Sequence, residues 1–294
     1  MSLRQEFLQP ARNAFRVSTM ELRGMADAIL LGQKTDGGFA FPGAKTSSCI
    51  QTAWALEALT ALREELPVRK VRRFLDAVGN TREQLAIAEF SGYVRCWLHF
   101  PKELENGARS RLIELLGKFS QPCGWVERPG DEASCSVAAQ FWGMAAAQDL
   151  GMIPPPAERM LGALEQFHDT ASGGWRNHCD EISILATSQA VSVMRQLGKT
   201  VDPSAITRLL EASEDAHGGY RDLSNELTPD VRATAHALHL AAAVRASLLR
   251  RRAILLDFLE AMRVAGGAFC RDWSHDDPDA ESTFHGLVAL GHLA

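Results

Sequence analysis

The chain has 294 residues, 46% hydrophobic and 23% charged, with 31 basic against 36 acidic side chains and a formal net charge of −5. That composition excludes a disordered chain, a collagen and a small disulfide scaffold, and the length is enough to bury a substantial core. The mild acidity argues against nucleic acid or an anionic membrane as the main partner, because either would reward a basic surface.

Six cysteines follow none of the paired spacings of zinc ribbons or redox motifs, and no secretory leader precedes them, so reduced thiols in the cytoplasm are expected. Arg, His or Gln interrupts every apolar stretch short of the ~18 residues that a membrane span needs. A soluble protein is expected. Met1-Ser2-Leu3 reads as a cloning remnant, and Arg250-Arg251-Arg252 as a solvated helix face.

In chain order, a glycine-rich turn recurs: Gly37-Gly38-Phe39, a weaker Gly79-Asn80, Gly124-Trp125, Gly173-Gly174-Trp175, Gly218-Gly219-Tyr220 and Gly266-Gly267. Each leads into an Ala- and Leu-rich run with helical patterning. These runs align on Thr52, Ser91, Ala138, Thr187, Thr234 and Thr283, spaced 39 to 49 residues apart. Between them lie second amphipathic segments at 67–78, 104–118, 155–168, 203–213 and 247–263, with Pro67, Pro154 to Pro156 and Pro203 at their starts. Six helical hairpins are predicted over a single domain, 1–294, with no strands.

A Gly-Gly-aromatic turn followed by Asp-x-x-x-Thr-x-x-Ala-Leu resembles the repeat of the terpenoid cyclase and protein prenyltransferase β-subunit superfamily. Asp277 to Leu290, the sixth unit, is particularly similar to it, and the resemblance runs from about residue 18 to the end. It implies an all-α (α/α)6 toroid, in which helices following the glycine turns form an inner ring around an apolar cavity and the others an outer ring. It also implies an isoprenoid substrate. Cyclases of this kind usually pair two toroids, and protein prenyltransferases need a separate α-subunit. The sequence leaves open a protein partner or a second copy.

In this superfamily the position two after the aligned residue and the positions one and two before it point inward. Carried over, the ring two after reads Trp54, Tyr93, Gln140, Gln189, His236 and His285, and the ring two before reads Ile50, Glu89, Ser136, Leu185, Arg232 and Glu281. Trp54, Tyr93 and Trp97 would give an aromatic wall suited to a polyprenyl chain or a carbocation. The alternative is that they only pack the interior.

Three chemistries follow from the resemblance. Proton-initiated cyclases carry Asp-x-Asp-Asp-Thr, with the middle Asp as general acid. Here Asp279-Ala280-Glu281-Ser282-Thr283 puts Glu281 in that place, one helical turn from His285. Catalytic roles are expected for Asp279, Glu281, His285 and His236, with an ion pair between Glu281 and Arg232 as the competing reading. Zinc-dependent prenyl transfer needs an Asp, Cys and His set, whereas the matching positions are Ser136, Val137 and Ser282, so no zinc is expected. His178-Cys179-Asp180-Glu181 has the residue types of a metal site, but side chains so close along a helix start diverge. Finally, Arg176, Arg221 and Arg271 fall near glycine turns, where they can meet a diphosphate together with Mg2+, or pair with acidic helix caps.

Overall fold

Runs that are apolar all round must be covered on every side, whereas runs with one apolar stripe need covering only once. The chain alternates the two kinds. The computed structural model describes residues 1–16, 22–176, 181–223, 226–247, 251–264 and 266–294. It opens with α1 (Leu3–Asn13), then α2 (Leu22–Leu31) and α3 (Cys49–Leu62), followed by α4 (Val68–Val78) and α5 (Ile87–Trp97). The short α6 (Pro101–Glu103) runs through a π-helical turn (Leu104–Ala108) into α7 (Arg109–Gly117), which precedes α8 (Val137–Leu150). Three more pairs complete the chain: α9 (Ala157–Gln166) with α10 (Ile184–Gln196), α11 (Pro203–Ser213) with α12 (Val231–Val244), and α13 (Arg252–Ala261) with α14 (Ala280–His292).

The helices after the turns pack in a closed circuit, α3 on α5, α8, α10, α12 and α14 in succession, with α14 back on α3. These six form the inner ring of an all-α toroid. In α3 every residue from Cys49 to Leu59 is buried, whereas α4 on the outside buries only Val71, Phe74 and Leu75. The main core therefore lies between the rings.

Four of the turns are fastened to their inner helices by a buried hydroxyl. Thr52, Thr187, Thr234 and Thr283 accept the N–H of Phe39, Trp175, Tyr220 and Phe269 at 2.9, 2.9, 3.0 and 3.2 Å. Each of these threonines is four residues past the helix cap, Ser48, Ser183, Asp230 or Asp279. The first three also donate to the cap carbonyl at 2.7 Å.

Counting from the caps corrects the predicted alignment in two units. The cap of α8 is Ser136, so the residue equivalent to Thr52 is Gln140 and not Ala138. Gln140 takes over the fastening, accepting the Trp125 N–H at 3.0 Å and donating to its carbonyl at 2.7 Å. α5 starts after Ala86, which makes Phe90 the equivalent and not Ser91.

Two other expectations change. Short antiparallel pairs occur where the turns fold back, Ser120–Gln121 with Gly124–Trp125 and Trp175–Arg176 with Ile182–Ser183. Met1-Ser2-Leu3 is no inert leader: Ser2 caps α1, Leu3 is fully buried, and its N–H donates to Gln148 Oε1 at 2.8 Å. α1 packs on α14, α3, α8 and α10 and crosses the ring at the C-terminal ends of the inner helices, where Glu6 meets Gln196 and Gly291 abuts the Pro10 backbone.

Thr187→Val keeps the volume but orphans the buried Trp175 N–H. A loss of about 1–3 kcal/mol is expected in urea unfolding; a change within ~0.5 kcal/mol would mean the hydroxyl does not fasten the turn.

Candidate functional site

The centre of the ring holds a cavity of about 330 Å3. Its apolar wall comes from Ala138, Phe141 and Trp142 of α8, Leu185 of α10, Trp54 of α3 and the loop residue Phe167, with Phe7 of α1 as floor. Its polar wall carries Gln189, His236, His285, Arg232, Glu281, Asp222 and Arg176.

Glu281 faces the cavity from the first turn of α14. Its carboxylate lies 3.6 Å from Arg232 Nη1 and accepts from Gln51 Nε2 at 3.2 Å. Burial pulls the Arg232 guanidinium down, but Glu281, Asp230 and Asp222 together hold it above its ordinary value. The predicted ion pair is thus present.

One turn further, His285 Nδ1 stands 2.8 Å from the Glu281 carbonyl, so that nitrogen carries the proton and Nε2 keeps a lone pair. Burial lowers its pKa to about 4. His236, 5.3 Å away between ring centres, is held well below 6.5 by burial and by His285, His239 and Arg232. Its Nδ1 meets Ser188 Oγ at 2.9 Å. Both imidazoles are neutral at pH 7.

The aromatic wall is already partly engaged. Trp54 stacks on Phe284 at 4.9 Å, and the Arg95 guanidinium lies 5.3 Å from Trp54 and 5.1 Å from Trp142. Arg95 is only 2% exposed, and carboxylates of Glu57 and Asp149 approach it at 3.8 Å. Burial pushes Asp149 up to about 6, against the pull of Arg95 and Arg4.

Above the cavity a second chamber of about 260 Å3 shares Arg232 and Glu281 with it and adds Phe41, Arg271, His275 and Asp279. Asp279 caps α14, accepting from the backbone N–H and hydroxyl of Ser282 at 2.7 Å each. Burial raises its pKa, opposed by those two bonds. Half-exposed Arg271 lies 3.8 Å from the cap Asp230. Arg176 pairs with Asp169 at 2.9 Å.

Trp54, Gln189, Arg176, Arg232, Glu281, His236 and His285 therefore converge on one cavity, with Asp279 and Arg271 at its rim. Gln140 does not join them, being locked to the Trp125 backbone. Tyr93 and Trp97 line a different pocket, because α5 is rotated relative to the predicted alignment. Arg221 lines neither chamber. His178 to Asp180 lie outside the described residues. The sequence reading missed Phe7, Arg95, Trp142 and Asp222; counting six residues on from the Ser136 cap would have found Trp142. Among the described residues no three His, Cys, Asp or Glu side chains gather as a metal cage, and no helix is long and apolar enough to cross a membrane.

The family model of the prenyltransferase alpha-alpha toroid domain matches residues 8–93 and 128–294. The chain belongs to this family. Drimenyl diphosphate synthase from Streptantibioticus cattleyicolor is 24% identical over 234 residues, 70% of this chain but 42% of that protein, so the chain spans less than half of that relative. The solved type II terpene cyclase MstE from Scytonema is 13% identical, with 97% of each chain covered and a TM-score of 0.58. Its complex with the substrate geranylgeranyl dihydroxybenzoate gives 14% identity, the same coverage and 0.57. An α-1,6-mannanase from a Salegentibacter species, bound to α-1,6-mannotetrose, gives 13% identity, 92% and 97% coverage and 0.61. At such identities the likeness is one of fold, and the prenyltransferase-family toroid shares that fold with unrelated chemistry.

Buried histidines make the stability of this toroid pH-dependent. His99 and His285 are lowered to about 4, His292 to about 3 and His236 well below 6.5, in each case chiefly by burial. Unfolded histidines take up protons near pH ~6.5, so between there and pH ~4 the unfolded chain binds more protons and stability falls on acidification. Asp149 and Asp230, raised to about 6, and Asp279, also raised, act in the opposite sense. The four histidines outweigh them. Calorimetry should show a Tm that drops steadily from pH ~6.5 to ~4.5; a rising Tm would contradict neutral burial of the imidazoles.

Proposed function

We propose that the toroid is an isoprenoid-processing enzyme that cyclises a polyprenyl substrate by protonating it in the central cavity. The observation that carries this reading is the position of Glu281, a carboxyl group at the seam between an aromatic chamber and a polar rim. The acid form hands its proton to an alkene carbon, and successive double bonds then close rings as the positive charge moves along the chain. The ring faces of Phe141, Trp142 and Phe167 attract that charge. The final cation loses a proton to a neutral imidazole, His285 through its Nε2 lone pair or the adjacent His236. Substrate and product are isomers, and the headgroup is unchanged.

Arg232 and Arg271 suit an anionic head at the rim, where the inner-helix N-termini add positive dipoles. Arg176 and Gln189 border the same chamber, and Asp279 positions Glu281 by capping its helix. Mg2+ would accompany a diphosphate head. The polyprenyl substrate of the Scytonema cyclase and the drimenyl diphosphate named for the Streptantibioticus enzyme belong to the same chemical class, a terpenoid skeleton with a polar head. As the site stands, Arg232 pairs with Glu281 at 3.6 Å, and an anionic substrate head would give that guanidinium a second partner and release Glu281 toward the chain.

That ion pair equally supports a second reading, a toroid that binds an apolar ligand or serves as a scaffold without chemistry. Prenyl transfer has less support, because Ser136, in the place of a zinc ligand, caps α8 and donates to Glu127 at 2.7 Å.

The test is incubation with squalene and with farnesyl, geranylgeranyl and longer polyprenyl diphosphates, with and without Mg2+, followed by mass spectrometry. A ring-containing isomer is expected, formed about 10²–10⁴-fold more slowly by Glu281→Gln. An isomer formed at full rate by that variant would remove Glu281 as the acid, and unchanged substrates throughout would favour the binding toroid.

A further inference from the structure

Tyr93 and Trp97 line a separate pocket of about 340 Å3 between α4, α5 and the α6 to α7 segment, sharing no lining residue with the central cavity. Its floor is apolar and aromatic, from Leu75, Leu112, Tyr93 and Trp97, and its walls carry Arg72, Arg82 and Arg111. The Arg72 guanidinium lies over the Trp97 ring at 4.7 Å and pairs with Asp76 at 3.0 Å and Glu103 at 3.8 Å. Arg82 folds back on the Gly79 carbonyl. Neither Arg82 nor Arg111 has a carboxylate partner among the described residues. The buried Trp97 indole N–H finds no acceptor at hydrogen-bond distance, although the Tyr93 hydroxyl lies close enough to feel it.

One wall of this pocket is built by chain that departs from the family pattern. The family match stops at residue 93 and resumes at 128. Within that gap the helix passes through the π-helical turn, where Gly107 has φ +107° and open space where a Cβ would stand. Single π turns weaken helix hydrogen bonding and recur at functional sites. A stretch of this chain that the family model does not match thus supplies one wall of a pocket on the outer face of the ring.

The geometry points to this pocket as a binding site for a small phosphorylated compound with an apolar or aromatic body. Three guanidinium groups against two carboxylates leave a positive site, and arginine forks match phosphate oxygens in pairs. The Trp97 and Leu112 side would take the organic body, since a pocket of this size exceeds an inorganic phosphate. The site is independent of the chemistry proposed for the ring centre.

Calorimetry of the full chain with phenyl phosphate, set against inorganic phosphate, tests it. Saturable binding is expected, tighter for phenyl phosphate, and weakened about tenfold or more in the double variant Arg82→Gln/Arg111→Gln. The double variant Asp76→Asn/Glu103→Gln frees Arg72 and should tighten binding, an outcome that damage to the fold does not produce. Crystals soaked in 4-bromophenyl phosphate should place bromine beside Trp97. Absence of saturable binding, equal binding of inorganic phosphate, indifference to both double variants, or bromine in the ring centre would each overturn the assignment. A failed cyclisation assay bears on none of these outcomes.

Discussion

The buried side-chain oxygen that joins five of the six glycine turns to their inner helices sets everything downstream. A helix turns by about 100° per residue, so the bond from the turn's aromatic N–H to a side chain four residues past the cap fixes which faces look into the ring. Thr52, Thr187, Thr234 and Thr283 do this with one oxygen, and Gln140 does it with a longer arm and two bonds. α5 starts instead from Ala86, which makes no side-chain capping bond, and there the chain also leaves the family pattern.

Much of the fold was legible because glycine and threonine mark the turns and inner helices directly. The six hairpins and their all-α ring follow from those residues. Four of the six inner helices carry the threonine and were placed in the right phase, which is why Trp54, Gln189, His236 and His285 fall together. The other two lack it, so alignment on small residues slipped, by one position in α5 and by two in α8. A slip of one residue turns a helix face through about a quarter of a revolution. Tyr93 and Gln140 were misplaced for that reason, and Trp142 was overlooked. Phe7 and Arg95 left no signal in the repeat, the first because α1 stands outside it and the second because a lone arginine reads as surface until its aromatic and acidic neighbours are known.

The electrostatics of the cavity follow one rule: cations inside are compensated by carboxylates, and the buried imidazoles stay uncharged. Arg95 sits between Glu57 and Asp149, and Arg232 among Glu281, Asp230 and Asp222. Removing one partner of such a buried set is costly, because the remaining charge stays away from water. His236 and His285 form no ion pair among the described residues, and burial, the largest influence on each, keeps both neutral. The chamber therefore offers aromatic faces and lone pairs to a guest while its fixed charges are spent on one another, except at the rim, where the Arg232 and Glu281 pair is reachable from both chambers.

α1 gives this arrangement a direction. By crossing the ring at the C-terminal ends of the inner helices, with Phe7 as floor, it turns a tunnel into a cup. On the proposed reading, a substrate would enter tail first and leave by the same mouth, so its head would stay at the doorway and each product would have to clear the threshold before the next arrival.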